Sequence, residues 1–471
     1  SGRYDGNSKF PSNQRWGFFP SASVGWRISE EPFMAGAKSW LDNLKIRASF
    51  GSTGNGQVDN YLFLSKIAIK KNLGFLTGDS PLIYADKPSL IPDGLTWETV
   101  STYDLGLDWE MLNGRLSIVA DIYRKNTTDM YVVGPELPAV FGNSAPKGNY
   151  ADMRTDGWEA SISWRDNFKL GGKDFSYNLK FAIWDNVTKV TKYMATTNTL
   201  PTNYATNYYE GMTLGELWGY TCNGLFQSNE EAQTYADYSK FAQNKIVWQK
   251  GDPKYEDLNG DGRIDNGSNR LEDHGDLSII GNINPHSMFG VNLAANWNGI
   301  GLSVFLQGVG ARDWYPGSDA GMFWGKYGRP FFALIPSIHN YTDDMYSAER
   351  NNWDTAYWPR MTTYQSNGTK NWTRLLEIPN TRYIQSAAYL RVKNIQVDYT
   401  FPKALCQKIR LGGLKIYLSG ENLFTFTPLH KYAPNFDPEA LGYDTDFSST
   451  AGDGYTYPVL KSVTLGVNIT F

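Results

Sequence analysis

The chain closes on SVTLGVNITF, residues 462–471. Its odd positions are Val463, Leu465, Val467, Ile469 and Phe471; its even positions are Ser462, Thr464, Gly466, Asn468 and Thr470. Strict period-2 alternation of this kind predicts a β-strand with one apolar and one polar face. The strand runs to an aromatic residue with no polar tail behind it. A second face of bulk solvent does not explain that ending, so the rest of the chain has to.

The same pattern recurs upstream. Trp16, Phe18, Ala22, Val24, Trp26 and Ile28 share one face, and Leu44, Ile46, Ala48 and Phe50 alternate with Lys45, Arg47, Ser49 and Gly51. Further alternating runs begin at Tyr103, Leu116, Trp158, Tyr177, Phe289, Ile300, Ile395 and Leu414. With the last strand these make eleven. Val119, Trp184 and Phe305 interrupt the polar phase. Connections alternate in length: minimal at Asn113–Gly114 and Asn298–Gly299, very long over 186–286 and 310–387. Asn-Gly is the preferred pair for a two-residue hairpin. Short turns on one side and long loops on the other are the pattern of an outer-membrane barrel, with periplasmic turns and extracellular loops. The fold expected is therefore all-β, a transmembrane antiparallel β-barrel.

That polarity makes every odd-numbered strand of the eleven descend. Near their lower ends stand Trp26, Trp109, Trp164, Trp297, Phe401 and Phe471, all in the apolar phase. Aromatics at one height on a lipid-facing surface are expected as a membrane-interface girdle, and Phe471 becomes the anchor of the last strand. A soluble sandwich or propeller also alternates, but it explains neither the loop lengths nor the in-phase aromatics. Bacterial single-chain barrels have even strand numbers. An ascending strand is thus expected before Trp16, with the missing part of the barrel N-terminal to it. The chain begins at Ser1 without Met or leader, and the expectation is that processing or incomplete coverage removed what came first.

Composition narrows the class. A net charge of −4 over 471 residues gives no basic footprint for nucleic acid. No apolar run is long enough for a transmembrane helix. Two cysteines, Cys222 and Cys406, exclude a disulfide scaffold. Because the polarity puts them on opposite sides of the bilayer, no bond between them is expected. His274, His286, His339 and His430 have no metal-ligand spacing, and no nucleophile elbow or phosphate loop occurs. No enzyme and no organic cofactor are expected. Lumen-phase Arg27, Lys45, Arg47, Asp104, Asp108, Glu159, Lys180 and Asp398 fit a polar barrel interior.

Several longer stretches carry a family resemblance: RWGFFPSASVGWRISEEPF (15–33), LDNLKIRASFGSTGNGQVDNY (41–61), WETVSTYDLGLDWEMLNGRLSIVADIYRKNTTDMY (97–131), GDPKYEDLNGDGRID (251–265), IIGNINP (279–285), YLRVKNIQVDYTFP (389–402) and SGENLFTFT (419–427). Over nearly the whole chain the sequence resembles the C-terminal half of the SusC/RagA-type TonB-dependent transporters. The resemblance implies a 22-stranded barrel, of which this chain would be the second half. It also implies a plug domain that TonB pulls on, a SusD-like surface lipoprotein acting as a lid, and residence in the Gram-negative outer membrane. Cargo would be an oligosaccharide, with a peptide as the alternative. A passive porin or adhesin and a soluble carbohydrate-binding β protein are the rival readings.

Two candidate sites lie in the long loops. Asp257, Asn259, Asp261, the Arg263 carbonyl and Asp265 follow the start of an EF-hand-type calcium loop, with Gly262 at the sharp turn. The twelfth position is Ser268 rather than a bidentate acid, so Glu272, Asp273 or Asp276 would have to fold back, Asp276 being preferred by its distance from Ile279. Solvated acids on a turn are the alternative. The 310–387 loop is crowded with aromatics; Trp314, Trp324, Trp353 and Trp358 are candidate contacts for cargo or lid, alongside Tyr315, Phe323, Tyr327, Phe331, Phe332, Tyr357 and Trp372. About half of such a set is expected to form loop core, because so long a loop must bury something to be ordered.

Overall fold

The computed structural model describes residues 1–71, 76–77, 80–81, 83–92, 94–135, 137–194, 198–201, 207–239, 248–317, 320–327, 344–361, 379–441 and 459–471. One twelve-stranded antiparallel sheet dominates it. Its strands are β1 (Gly2–Gly6), β2 (Trp16–Arg27), β3 (Leu41–Asn55), β4 (Glu98–Met111), β5 (Leu116–Val133), β6 (Lys147–Leu170), β7 (Lys173–Tyr193), β8 (His286–Trp297), β9 (Ile300–Ala311), β10 (Tyr389–Thr400), β11 (Gly413–Phe426) and β12 (Ser462–Thr470). Each pairs only with its chain neighbours, the up-and-down meander expected. No helix among the described residues is long and apolar enough to cross a membrane.

The sheet has one strand more than the eleven expected. β1, GRYDG, pairs with β2 from Gly2↔Pro20 to Gly6↔Trp16 and supplies the ascending neighbour required before Trp16. Five residues with a single clear alternation are too few to register as a pattern. The strands are also longer than the alternation suggested. β5 and β6 pair up to Val133↔Lys147, and β6 and β7 up to Ala151↔Tyr193. Above the hydrocarbon no lipid selects for apolar side chains, so the ladder continues while the pattern stops. The long connections are correspondingly shorter, 194–285 and 312–388.

Register confirms the phase. Ile46 stands opposite Trp26 and Leu107; Leu293 opposite Leu179 and Val304; Ile416 opposite Tyr399 and Val467. Outward residues thus partner only outward residues along these rows. A slip by one residue would turn every such side chain to the other face. Val119, Trp184 and Phe305 sit in the inward rows, opposite Asp108, Glu159 and Asn292. The outward face leaves large apolar side chains bare: Phe18 63%, Val24 68%, Ile122 59% and Leu465 73%. An exposed apolar surface of that continuity marks a membrane-facing wall.

The turns on the lower side are tight. Asn113 and Gly114 have φ of 59° and 69°, and Asn298 and Gly299 have 47° and 87°, as a type I′ hairpin requires. β6 and β7 meet through Gly171–Gly172, at 58° and 76°. The β10–β11 turn holds a short helix, Lys403–Lys408, with Cys406 buried.

Candidate functional site

The inner wall is an ion network on a polar face. Arg47 on β3 lies between Gly25 and Gly106, which present no side chain. A Cβ on Gly106 would fall 2.4 Å from the Arg47 guanidinium carbon and from Asp121, so glycine there gives the guanidinium its seat. Arg47 reaches Asp121 at 2.7 Å, Asp108 at 3.3 Å and Asp104 at 3.5 Å. Lys45 lies 4.0 Å from Asp108, Lys415 3.0 Å from Asp398, and Arg27 donates to Asn43 at 2.9 Å. Asp121 was missed in the sequence because it breaks no alternation; it is simply another inward polar residue. Glu159 and Lys180 occupy inward rows as expected, opposite Asp121 and Asn292.

The upper side carries a cap with its own core. The loops after β7, β9 and β11 contribute Tyr220, Tyr255, Trp314, Tyr315, Phe323, Trp324, Tyr327, Trp358, Tyr383, Leu429 and Phe436 to one buried cluster. Short strand pairs frame it: Glu216–Tyr220 with Leu277–Asn282, Cys222–Leu225 with Pro253–Tyr255, and Asp313–Trp314 with Gln385–Ser386. Ring contacts run through it, with Tyr327 stacked on Trp358 at 5.4 Å and Trp324 edge-on to Tyr383 at 5.5 Å. Burial pushes the hydroxyls of Tyr220, Tyr238, Tyr255, Tyr357 and Tyr383 well above the usual tyrosine range, so they act only as neutral partners.

Ion pairs clamp the loops together. Arg360 donates two bonds of 2.9 Å to the fully buried carboxylate of Asp252. Arg391 at the top of β10 bonds Asp437 and Glu439, and its Nε donates to Thr425 at 2.9 Å. Burial tends to raise the Asp437 carboxyl, but the Arg391 bond and the Glu439 and Val459 amides outweigh it and hold the group below the usual range. Removing one partner of a buried pair costs about 3–5 kcal/mol, because the other charge is left uncompensated. No local motif announces either clamp, since the partners lie far apart in the chain.

Trp314, Trp324 and Trp358 are fully buried, which corrects their assignment as contacts for cargo or lid: they are the core of the cap. Trp353 packs, partly buried, against a small cluster of Leu225, Tyr346 and Ala356. Phe331, Phe332, His339 and Trp372 lie outside the described residues.

The acidic loop is wound as its sequence suggests. Asp257 accepts from Gly260 N at 2.7 Å and Gly262 N at 2.8 Å; Asn259 accepts from Asp261 N at 3.0 Å, and Asp261 from Arg263 N at 2.8 Å. Asp276 does fold back. Buried, it accepts from Leu258 N and Asp265 N, each at 2.8 Å. Burial raises its carboxyl above the ordinary range, with the Asp257 charge adding to the rise, although the amide bonds oppose it. Among the described residues no three His, Cys, Asp or Glu side chains are gathered to hold a metal. Backbone amides donate to the loop's side-chain oxygens. Glu272 bonds Asn198, and Asp273 bonds Ser268 N at 2.9 Å.

Five of the six girdle candidates stand at or next to the lower strand ends: Trp26, Trp109, Trp297, Phe401 and Phe471. Trp164 stands higher, because β6 runs on to Leu170. Its place beside the turn is taken by Phe168 and Phe175, whose rings lie 5.1 Å apart, with Trp297 opposite Phe175. Trp26 donates to Glu31 at 2.8 Å, Trp297 to the Leu170 carbonyl at 3.1 Å and Trp164 to Tyr177 at 2.8 Å. A ring in apolar surroundings with its N–H on a polar group suits an interface.

An apolar outer face, a charged inner face, tight turns below and a packed cap above define a transmembrane β-barrel of the outer-membrane type. A family model for the TonB dependent receptor-like β-barrel matches residues 1–423, and the chain belongs to that family. Over its whole length it is 26% identical to TonB-dependent receptor P3 of Formosa agariphila, covering 43% of that protein. It is 24% identical to TonB-dependent receptor SusC of Bacteroides thetaiotaomicron, covering 41%. Among solved structures, the RagAB peptide importer in its closed-closed state matches with a TM-score of 0.68 at 19% identity, over 100% of this chain and 45% of that one. That last likeness is one of fold. The chain thus spans less than half the length of the curated relatives it matches. The family resides in the outer membrane, and its members are transport proteins rather than enzymes.

Proposed function

We propose that the receptor carrying this chain imports a bulky nutrient, an oligosaccharide, driven by TonB and assisted by a SusD-like lid lipoprotein. The observation that carries this reading is the cap. Three loops spend their aromatics on a common core and clamp it with buried ion pairs. A passive pore has no need of so large an ordered roof, whereas a receptor with a lid needs a firm seat for it. The name of RagAB speaks for peptide as the second cargo class.

With Trp314, Trp324 and Trp358 inside the cap, the lid contact falls to other side chains. Tyr61, Ile67, Ile69, Val140 and Phe141, on the connections after β3 and β5, are exposed on the same side. Lys87 Nζ donates to the Gly142 carbonyl at 3.2 Å and ties the two connections together. Calcium at Asp257, Asn259, Asp261, Arg263 and Asp265 belongs to the same proposal; the fold-back of Asp276 onto both ends of the loop speaks for it.

The test is uptake by whole cells. Deleting the receptor should abolish entry of fluorescent oligosaccharides, and a protonophore should do the same in the parent strain. Loss of peptide entry instead would replace the cargo. Uptake that survives both treatments would overturn import.

A further inference from the structure

The outward face changes chemistry over three successive rows between β2 and β7. The lowest row is apolar from β2 to β6, with Val24, Ala48, Leu105, Ile122 and Trp158, and ends on β7 at Asp185, whose carboxylate is engaged by His286 at 2.8 Å. The next reads Phe50, Tyr103, Arg124, Asp156 and Val187. The third is wholly polar, with Ser52, Ser101, Asn126, Arg154 and Lys189. This is the upper edge of the membrane band, on the side of the long loops, and the Phe50–Tyr103 ring pair at 5.0 Å sits on it.

Three cations occupy that edge on adjacent strands. Arg124 Nε lies 2.5 Å and Arg154 Nε 3.1 Å from the single carboxylate of Asp156. Lys189 stands directly opposite Arg154 and is exposed. The cluster carries a net charge of two, and its arginine side chains are about half open. Below it a groove is lined by Tyr103, Leu105, Ile122, Arg124, Asp156 and Trp158. An apolar floor with the Arg124 guanidinium at its upper end, and Arg154 and Lys189 on the row above, matches a molecule with an acyl chain below and a phosphate above.

We propose that Arg124, Arg154 and Lys189 form a binding site for the phosphate groups of an outer-leaflet glycolipid, with its chain against Ile122 and Trp158. Guanidinium groups bind phosphate through paired N–H donors. Asp156 engages one Nε from each arginine, offsets one of the three positive charges and leaves the remaining guanidinium donors free.

The test uses the full-length receptor extracted from its own outer membrane in mild detergent, with phosphorylated glycolipid measured by native mass spectrometry. Lipopolysaccharide from the host membrane is the probe in a titration. The triple variant Arg124→Ser, Arg154→Ser, Lys189→Ser should bind it roughly 100-fold more weakly, about fivefold for each of the three positive charges removed near an anionic surface. Lys189→Arg should bind as the parent does, and Asp156→Asn should bind more tightly. Phosphatase-treated lipopolysaccharide should lose affinity for the parent but not for the triple variant. Equal binding by parent and triple variant would overturn the site, as would weaker binding by Asp156→Asn. Equal affinity for inorganic phosphate alone would assign the site to free anion instead of lipid. A triple variant that keeps its lipid but changes its oligomeric state would make the patch a contact between copies.

Discussion

Asp276 is a buried carboxylate that accepts from backbone amides at both ends of the acidic loop. It bridges the start of the acidic loop at Leu258 to its end at Asp265, so it acts as a clasp whether or not an ion is present. Extracellular calcium modules of this ligand class have dissociation constants of about 10⁻⁴–10⁻³ M. Calcium at millimolar concentration should therefore protect the segment 257–276 from proteolysis, and Asp257→Asn with Asp261→Asn should remove that protection. Asp276→Asn should expose the segment at any calcium level. Cleavage rates that ignore calcium in the parent would reduce the motif to a tight turn. The motif itself was plain in the sequence, since its spacing is local. The clasp was half legible: a nearby acid had to return, and only the fold shows that it returns to amide hydrogens.

Strands are where the sequence told most. Alternation located eleven of the twelve strands, and the register bears out their outward phase. What alternation could not supply was length, because β5, β6 and β7 continue as polar ladders beyond the lipid. It also misplaced Trp164, whose strand runs further than its apolar pattern. The cap was illegible for a related reason. Aromatics that pack and aromatics that bind look alike in a chain, and only three-dimensional burial separates Trp358 from a surface contact. A direct check of the phase is a pair of neighbours on β8. Leu293 lies in the lipid row between Leu179 and Val304, and Asn292 in the lumen row between Lys180 and Phe305. Leu293→Arg should destabilise the barrel by about 2–4 kcal/mol, as charge near the bilayer midplane does. Asn292→Arg should leave the yield of heat-modifiable barrel in the outer membrane nearly unchanged. Equal losses for the two variants would mean the phase is wrong.

The polarity of the molecule as a whole follows from loop length, and the cysteines give it a handle. Both thiols are free, as the opposite-sides reading required. Cys222 belongs to the cap, paired with Tyr255 in a short sheet. Cys406 belongs to the short helix in the β10–β11 turn and is buried, 1% exposed. A disulfide needs its Cα atoms within about 7 Å, whereas the hydrocarbon core alone is about 30 Å thick. Labelling native Cys406 cannot report its side, because burial protects it from either compartment. Exposed positions near each end can. Lys403 is exposed on the same helix, and Val140 is 92% exposed on the connection after β5. In a receptor with Cys222→Ser and Cys406→Ser, a membrane-impermeant maleimide on intact cells should label Val140→Cys and leave Lys403→Cys untouched. Permeabilising the outer membrane should then expose Lys403→Cys. The reverse order would invert the barrel, placing the aromatic cap in the periplasm and the basic patch of Arg124, Arg154 and Lys189 at the inner leaflet. Labelling of both sites on intact cells would remove the bilayer from between them.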